Sequence, residues 1–149
     1  MNLTIGQELP ARQFKITRDS LVRYAGASGD FNPIHYRDDF AQAVGLPGVL
    51  AHGMLTMGLA VQTVVDFVGD SGKILDYQVR FTKPVLVDAK SGATVEVSAK
   101  VIEIDEDSKT ARIDLTAVCA ELTVLGKAQV RVAISVSYTH LTLPTILRV

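Results

Sequence analysis

The sequence predicts one α+β domain in which a curved antiparallel sheet wraps around a long central helix. Residues Met54–Val68 are apolar on nearly every side at helical spacing, which is typical of a helix inside a core. After Gly72 the apolar residues instead recur at every second position, as in strands with one buried face. Because this helix is the one long apolar element available to cover those faces, we expect the sheet to curve around it.

Composition agrees with this fold and excludes several classes of function. The 149 residues suit one domain, and 48% hydrophobic with 6% aromatic residues and no Trp indicates an aliphatic core. Lys+Arg 15 against Asp+Glu 16 leaves no basic surplus for nucleic acid. The N-terminus lacks a signal-peptide pattern, and no uniformly apolar stretch reaches the roughly 20 residues that a bilayer requires. A single cysteine, Cys119, excludes an internal disulfide, so we expect a cytoplasmic protein that binds neither nucleic acid nor membrane.

The last residues do not continue the pattern before them. Val136–Thr145 resembles the in-frame translation of a transposon-end sequencing adapter, so we assign residues 1–135 to the domain and expect residues 136–149 to be non-native. The alternative is a genuine tail that is disordered or forms a strand. Without these residues Arg148 is lost, which leaves 14 basic and 16 acidic residues and a net charge of −2. We assign no role to His140, which lies in this segment.

The N-terminal part of the domain is predicted to be helical with a turn in the middle. Thr17 is a suitable N-cap for a helix that runs to about Ala27. Residues 28–33 form a turn cluster rich in helix-breaking Gly, Asp, Asn and Pro. A short helix is predicted over Asp38–Val44, ended by Gly45.

Four alternating segments predict the sheet, over residues 76–82, 95–104, 111–119 and 128–134. The alternation slips at Ile102 and Ile104, which indicates a β-bulge. Asp105–Ser108 is predicted to be a solvated hairpin tip rather than a metal loop, and Cys119 falls on the apolar phase as a packed, inert thiol. One helix cannot cover every strand edge, so we expect dimerisation through an edge or a face.

Outside the tail the chain has two histidines, His35 and His52. His35 follows Asp30 by five residues across a turn stiffened by Pro33. An Asp and a His brought together supply two proton-transfer groups of different pKa, which the addition or elimination of water requires. The alternative is structural: Asp30 and Asn32 would only make Asx-turn bonds, and His35 would be a satisfied polar residue at the start of a helix.

His52 and Gly53 directly precede the apolar helix. A helix N-terminus offers unpaired amides and partial positive charge, which can hold a developing oxyanion, and Gly53 would let a substrate carbonyl approach the backbone. Alternatively, Gly53 only permits close packing and His52 caps the helix. No metal site, nucleotide loop or nucleophile elbow is recognisable, so we expect no metal and no cofactor.

Two motifs identify a resemblance to a known family. The Gly-Asp-x-Asn-Pro-x-His pattern of Gly29–His35, followed downstream by Ala51–Met54, resembles the MaoC-like dehydratases, or (R)-specific enoyl-CoA hydratases. Within that family the chain is most similar to the β subunits of actinobacterial (3R)-hydroxyacyl-acyl-carrier-protein dehydratases. The resemblance implies a hot dog fold and the reversible hydration of trans-2-enoyl thioesters to (3R)-hydroxyacyl thioesters in fatty acid metabolism.

The resemblance also implies a role for each motif residue. Asp30 and His35 would hold the water and share the proton transfers, and Asn32 would orient them. The amide of Gly53 would bind the thioester oxygen, with His52 beside it in the substrate-binding set. The substrate would be carried by CoA or by acyl carrier protein, and the partner would be an identical chain or a related hot dog subunit.

Gly58 departs from the family pattern, because some members have a serine six residues after the His of the His-Gly-Met segment. Thr56 is then the hydroxyl left to replace it. Two alternatives stay open. A hot dog thioesterase needs a carboxylate near the central helix, and Met54–Val65 has none. A non-catalytic acyl-binding subunit of a heterodimer is disfavoured by the intact motif.

Overall fold

A computed structural model describes residues 1–134, and the predicted non-native tail lies outside them, so the boundary at residue 135 stays a prediction. Single-turn 3₁₀ helices occupy Pro33–His35 and Ser71–Lys73. The other elements, in chain order, are β1 Glu8–Ile16, α1 Arg18–Ser28, α2 Asp38–Ala43, α3 Gly53–Val68, β2 Ile74–Phe81, β3 Ala93–Asp105, β4 Thr110–Cys119 and β5 Leu122–Ala133.

The five strands form one antiparallel sheet in the order β1-β3-β4-β5-β2, so that β1 and β2 are its edges within residues 1–134. Helix α3 contacts all five strands. The predicted α+β architecture, with a curved sheet around a central helix, is confirmed.

The core between α3 and the sheet is aliphatic, as the composition indicated. Exposure along the first nine residues of β3 alternates strictly, and Val97 and Val101 are fully buried there. Ala60 and Val64 of α3 are equally buried and face the sheet with small side chains. Each buried valine contributes about 1.5–3 kcal/mol relative to an exposed one.

The helix is less enclosed than its sequence predicts. Met54, Gly58, Gln62 and Asp66 recur every four residues and form an exposed stripe along α3. The expectation of burial on every side is therefore wrong for the single chain, because the sheet covers the opposite face. Gln62 donates a hydrogen bond to Asp66, which also pairs with Arg12 of β1, so the polar end of the stripe is held within the chain.

Strand β1 was not predicted. Only Leu9 and Ile16 of its nine residues are buried, and its pairing with β3 shifts between Leu9 and Arg12. An edge strand with a register shift presents no clean alternation that a sequence pattern could reveal.

The irregularities elsewhere in the sheet are partly as predicted. Pairing of β3 with β4 shifts between Val101 and Glu103, which confirms the bulge at Ile102. Strand β5 begins at Leu122, six residues before the predicted segment. Val124 and Leu125 are adjacent and both buried, so this part of the strand breaks the period of two that would have revealed it.

The local signals along the chain are confirmed with small shifts of boundary. Thr17 caps α1 in a reciprocal hydrogen-bonded pair with Ser20, and α2 ends at Ala43 rather than Val44. Asp105 accepts hydrogen bonds from the amides of residues 107 and 108, which forms the hairpin tip between β3 and β4. Cys119 is half-buried, and burial raises the pKa of its thiol. Among residues 1–134 no helix has the length and apolarity needed to cross a bilayer.

Candidate active site

The loop between α1 and α2 is folded by two consecutive side-chain-to-backbone turns. Asp30 Oδ1 accepts from the amide of Asn32 at 3.2 Å, and Asn32 Oδ1 accepts from the amide of Ile34 at 3.2 Å. Asn32 thereby caps the 3₁₀ turn that carries His35, with Pro33 at its first position. The Asx turns of the structural alternative are present, and they place Asp30 and His35 beside one another.

His35 is held by a main-chain carbonyl. The residue is 8% exposed, and Nδ1 lies 2.7 Å from the carbonyl oxygen of Leu50. Because a carbonyl can only accept, Nδ1 donates, and the neutral ring keeps its lone pair on Nε2. That Nε2 lies 3.9 Å from Asp30 Oδ2, which is too far for a direct hydrogen bond and short enough for one water molecule to bridge.

His52 lies behind His35, and the two imidazoles stack with centroids 3.8 Å apart and planes at 22°. Only 1% of His52 is exposed. Its Nε2 donates to the main-chain oxygen of Asp30 at 3.1 Å, and Nδ1 is left buried with no hydrogen-bond partner among the described residues. Burial lowers the pKa of His52 below its ordinary 6.5, and the nearby His35 lowers it further. We therefore expect a neutral ring at pH 7.

His52 also occupies the N-cap position of α3, but its side chain makes no capping hydrogen bond. Its ring does not line the cleft described below. Substrate contact by His52, which the family resemblance implies, stays a prediction that this placement does not support.

Asp30, His35 and His52 have potential ligand atoms within 4.8 Å of one another, a grouping that could hold a metal ion. The sequence spacing gave no sign of it. One nitrogen of each ring is engaged by a carbonyl, and stacked rings point their in-plane lone pairs side by side rather than at a common centre. The arrangement fits proton transfer better than metal coordination.

Helix α3 begins at Gly53, where the first-turn amides have no partner within the helix. The aromatic ring of Phe81, the last residue of β2, packs over this point. A Cβ added at Gly53 would lie 3.0–3.2 Å from three atoms of that ring. Glycine is therefore what allows Phe81 to sit against the start of the helix, and Gly53 itself lines the cleft described next.

A cleft of about 340 Å³ lies beside His35 and the start of α3, and Asp30 is not among the residues that line it. His35 and Gly53 line one part of it, and Phe81, Val124 and Leu125 supply apolar walls. An apolar cleft with an imidazole on one side and the start of a helix on another suits a small, largely apolar molecule that carries a polar group.

Thr56 also lines the cleft, and its hydroxyl donates to the carbonyl of His52 at 3.3 Å. Gly58 lies instead on the exposed stripe of α3, where a Cβ would meet no atom of the described residues within 4 Å. Of the two positions, Thr56 is therefore the one that lines the cleft.

Sequence reasoning brought together Asp30, His35 and Gly53 but missed two contributors. The Leu50 carbonyl, which fixes the tautomer of His35, is a main-chain group with no residue-type signal. The sequence placed Phe81 on the apolar face of a predicted strand and gave it no role in the site. Its packing on Gly53 depends on where β2 ends relative to α3, which a linear pattern does not contain.

The fold and site define a class, the MaoC-like proteins. Residues 2–119 match the family model described as "MaoC like domain", and the chain belongs to this family. The predicted hot dog fold is confirmed by the structural neighbours of the chain.

Three similar proteins illustrate the relationship. The 3-hydroxyacyl-thioester dehydratase X of Mycobacterium tuberculosis is 40% identical over 86 residues, which cover 58% of this chain and 30% of that protein. The 3-hydroxybutyryl-CoA dehydratase of Methylorubrum extorquens is 30% identical over 120 residues, which cover 79% of this chain and 74% of that one. A solved structure described as a MaoC-like dehydratase has a TM-score of 0.88 at 38% identity and covers 90% of this chain and 41% of its own. The first and third relatives are therefore much longer than the part that this chain matches.

Proposed function

We propose that this chain catalyses the reversible addition of water to trans-2-enoyl thioesters, giving (3R)-hydroxyacyl thioesters. The observation that carries the proposal is the 3.9 Å separation of Asp30 Oδ2 and His35 Nε2, next to the cleft that Gly53 lines. The dehydratase names of the relatives support the same reaction class.

In the hydration direction, water sits between Asp30 and His35 and attacks the β-carbon of the enoyl group. One of the two side chains takes the proton of the water as the C–O bond forms. The electron pair of the double bond moves toward the thioester. The carbonyl oxygen of the thioester gains negative charge and accepts a hydrogen bond from the Gly53 amide. That same proton is then passed to the α-carbon, from the side chain that took it or through the other one, so the pair ends in the protonation state in which it began. Dehydration runs these steps in reverse.

The two parts of the site contribute comparable amounts to the rate. A positioned acid–base pair typically contributes about 10²–10⁴-fold. Loss of one oxyanion donor typically costs ~2.7–4 kcal/mol of transition-state stabilisation. In this scheme Asn32 acts through the backbone, because its side chain caps the turn that presents His35.

We infer that the substrate is carried by CoA or by acyl carrier protein and that the chain works as a dimer. Both sheet edges, β1 and β2, lack a neighbouring strand within residues 1–134, and Leu75 and Phe81 of β2 are 52% and 53% exposed. Such an edge favours pairing with a second copy or with a related hot dog subunit.

The test is the hydration of crotonyl-CoA, followed by loss of the enoyl-thioester absorbance. We expect wild-type turnover, and a loss of about 10²-fold or more in Asp30→Asn and in His35→Ala. Asp107→Asn makes the same change in the exposed β3–β4 turn and should retain full activity. Light scattering should give a mass of about twice 16.1 kDa for the active species, or that of a mixed dimer when a related subunit is supplied.

Other outcomes separate the alternatives. Release of free thiol would indicate a thioesterase, and no turnover alone or with a related subunit would indicate an acyl-binding role. Full activity in both site variants would refute the proposal. Comparing rates on CoA and carrier-protein substrates identifies the carrier.

A further inference from the structure

We propose that His52 is a positioning residue that holds Asp30 and His35 in register, through its Nε2 hydrogen bond to one and the face of its ring against the other. This inference rests on the proposed hydratase function. It assigns His52 to the support of the acid–base pair rather than to contact with the substrate.

The hydrogen bond from His52 Nε2 links the main chain of Asp30 to the protein core. The other described hydrogen bonds of Asp30 are local: its amide donates to Ser28 Oγ at 3.1 Å, and its Oδ1 accepts from Asn32. The bond from His52 Nε2 comes from the start of α3, across 22 positions of sequence. Because the Asp30 side chain is 51% exposed, burial does little to fix it, and the hydrogen bond to its carbonyl restrains the backbone from which the carboxylate projects.

The ring of His52 fixes the orientation of His35. The Leu50 carbonyl restrains His35 at one in-plane nitrogen, which still permits tilting about that bond. The face of His52, 3.8 Å away, limits the tilt, and the ring of Tyr24 packs against His52 with centroids 4.7 Å apart. His35 Nε2 is thereby kept directed toward the carboxylate.

The chemistry of position 52 requires histidine for both tasks. Phenylalanine would supply a flat ring without a donor, and glutamine a donor near the Nε2 position without a ring. His52 supplies both while leaving Nδ1 buried and unpaired among the described residues, an arrangement that is unfavourable for stability. A purely structural position would be better filled by an apolar ring, so the unpaired nitrogen indicates that the donor on the other side is needed.

His52 also fits beside a group that gains and loses a proton. The titratable groups around it are His35, Asp30 and Tyr24. Because its burial disfavours the charged form, the ring stays neutral and leaves the exchangeable proton to His35 and Asp30.

The test separates the two tasks with a pair of variants in the full-length chain. His52→Phe keeps the ring and loses the donor, and His52→Gln keeps a donor and loses the ring. We expect each to lower kcat on crotonyl-CoA by roughly 10- to 100-fold, as small misplacements of catalytic groups do, with KM unchanged within about twofold. Thermal unfolding checks that each variant is folded.

Nitrogen-15 NMR of the histidine rings gives a readout that does not depend on turnover. The wild type should show His35 protonated at Nδ1 and His52 at Nε2. In His52→Gln we expect His35 to keep this tautomer, which the Leu50 carbonyl sets, while its ring signals shift and broaden because the ring can tilt once the stacked face is gone.

Several results would overturn the inference. Wild-type kcat in both variants would do so, as would a raised KM with unchanged kcat, which would make His52 a substrate contact. If a variant does not fold, the nitrogen-15 spectrum of the wild type provides the test. Protonation of His52 at Nδ1 would overturn the inference, because Nε2 could then not donate to the Asp30 carbonyl. An inactive wild type would instead refute the proposed function. The tautomers of His35 and His52 would still test the positioning role, because the spectrum does not depend on turnover.

Discussion

At Gly53 the absence of a side chain determines what can reach the first amide of α3. A Cβ there would lie 3.0–3.2 Å from the ring of Phe81, which is tighter than ordinary contact. At Gly58, five residues along the same helix, a Cβ would meet no atom of residues 1–134 within 4 Å. The two glycines therefore allow the same substitution to be compared at a functional and a neutral position.

We predict that Gly53→Ala lowers kcat on crotonyl-CoA by about 10-fold or more, because Phe81 must move and the amide is partly covered. Gly58→Ala should retain activity and stabilise the fold by about 0.5–1 kcal/mol, as alanine replaces glycine within a helix. Steady-state kinetics and urea unfolding of both variants provide the measurement. Equal activity in the two would show that the Gly53 amide takes no part.

The site residues with a side-chain signal were predictable, and those acting through the main chain were not. Asp30 and His35 stand out in the sequence because a carboxylate and an imidazole flank a Pro-stiffened turn, and the structure brings them to 3.9 Å. The Leu50 carbonyl carries no such signal, because any residue at that position offers the same group. The stacking of His35 and His52 depends on packing between segments 17 residues apart and has no periodic pattern.

Arg18, the first residue of α1, ties three separate elements together. Its Nε donates to the Val87 carbonyl at 2.6 Å, and its two terminal nitrogens donate to Asp38 at 2.9 and 3.1 Å. This arginine therefore fixes the start of α2 against α1 and the segment before β3. The Asp30–His35 loop runs between those two helices, so the same contacts limit how far it can move.

We predict that Arg18→Lys destabilises the fold by about 1–2 kcal/mol, because lysine cannot form the forked pair and reach Val87 at once. Arg37→Lys is the matched control: Arg37 also pairs with an aspartate of α2, Asp39, but at a more exposed site. There we expect no measurable change in stability, because solvent screens an exposed ion pair. Urea unfolding measures both, and similar losses would mean that the Arg18 contacts add nothing beyond a surface ion pair.

Elements were predictable where one physical requirement dominated. Helix α1 follows from the Thr17 cap, and β3 and β4 from strict alternation over a core of valine, isoleucine and alanine. Edge strand β1 and the first half of β5 were not predicted, because register shifts and adjacent buried residues break the period of two. The exposed stripe of α3 was not predicted either. Hydropathy describes a segment as a whole and does not show which face of the helix the sheet covers.

The stability of the whole molecule should depend on pH through His52. Unfolded, this histidine titrates near its ordinary 6.5; in the native state burial lowers its pKa. Between the two values the unfolded chain binds more protons, so the free energy of unfolding falls as pH decreases below about 6.5. The slope for one such group is at most about 1.4 kcal/mol per pH unit.

Urea unfolding of the wild type and His52→Phe at pH 8, 7, 6 and 5 checks this prediction. We expect the wild type to lose stability relative to His52→Phe as the pH falls from 7 to 5. Above pH 7 the difference between their unfolding free energies should be constant. The carboxylates of Asp38, Asp88 and Asp105, whose pKa values hydrogen bonds lower, act in a separate window below about pH 4. Parallel curves from pH 8 to pH 5 would contradict a buried neutral His52.

The bond from His35 to the carbonyl of residue 50 has a consequence for redesigning the proposed acyl site. Leu50 also lines the cleft with its side chain, while its amide donates to Ile34. The backbone at this position thus sets which ring nitrogen is protonated, and the side chain is free to shape the space for the acyl group. The side chain at position 50 can therefore be changed to accept bulkier or shorter acyl chains. The tautomer of His35 should stay the same, because the main-chain carbonyl that sets it is present whatever the side chain.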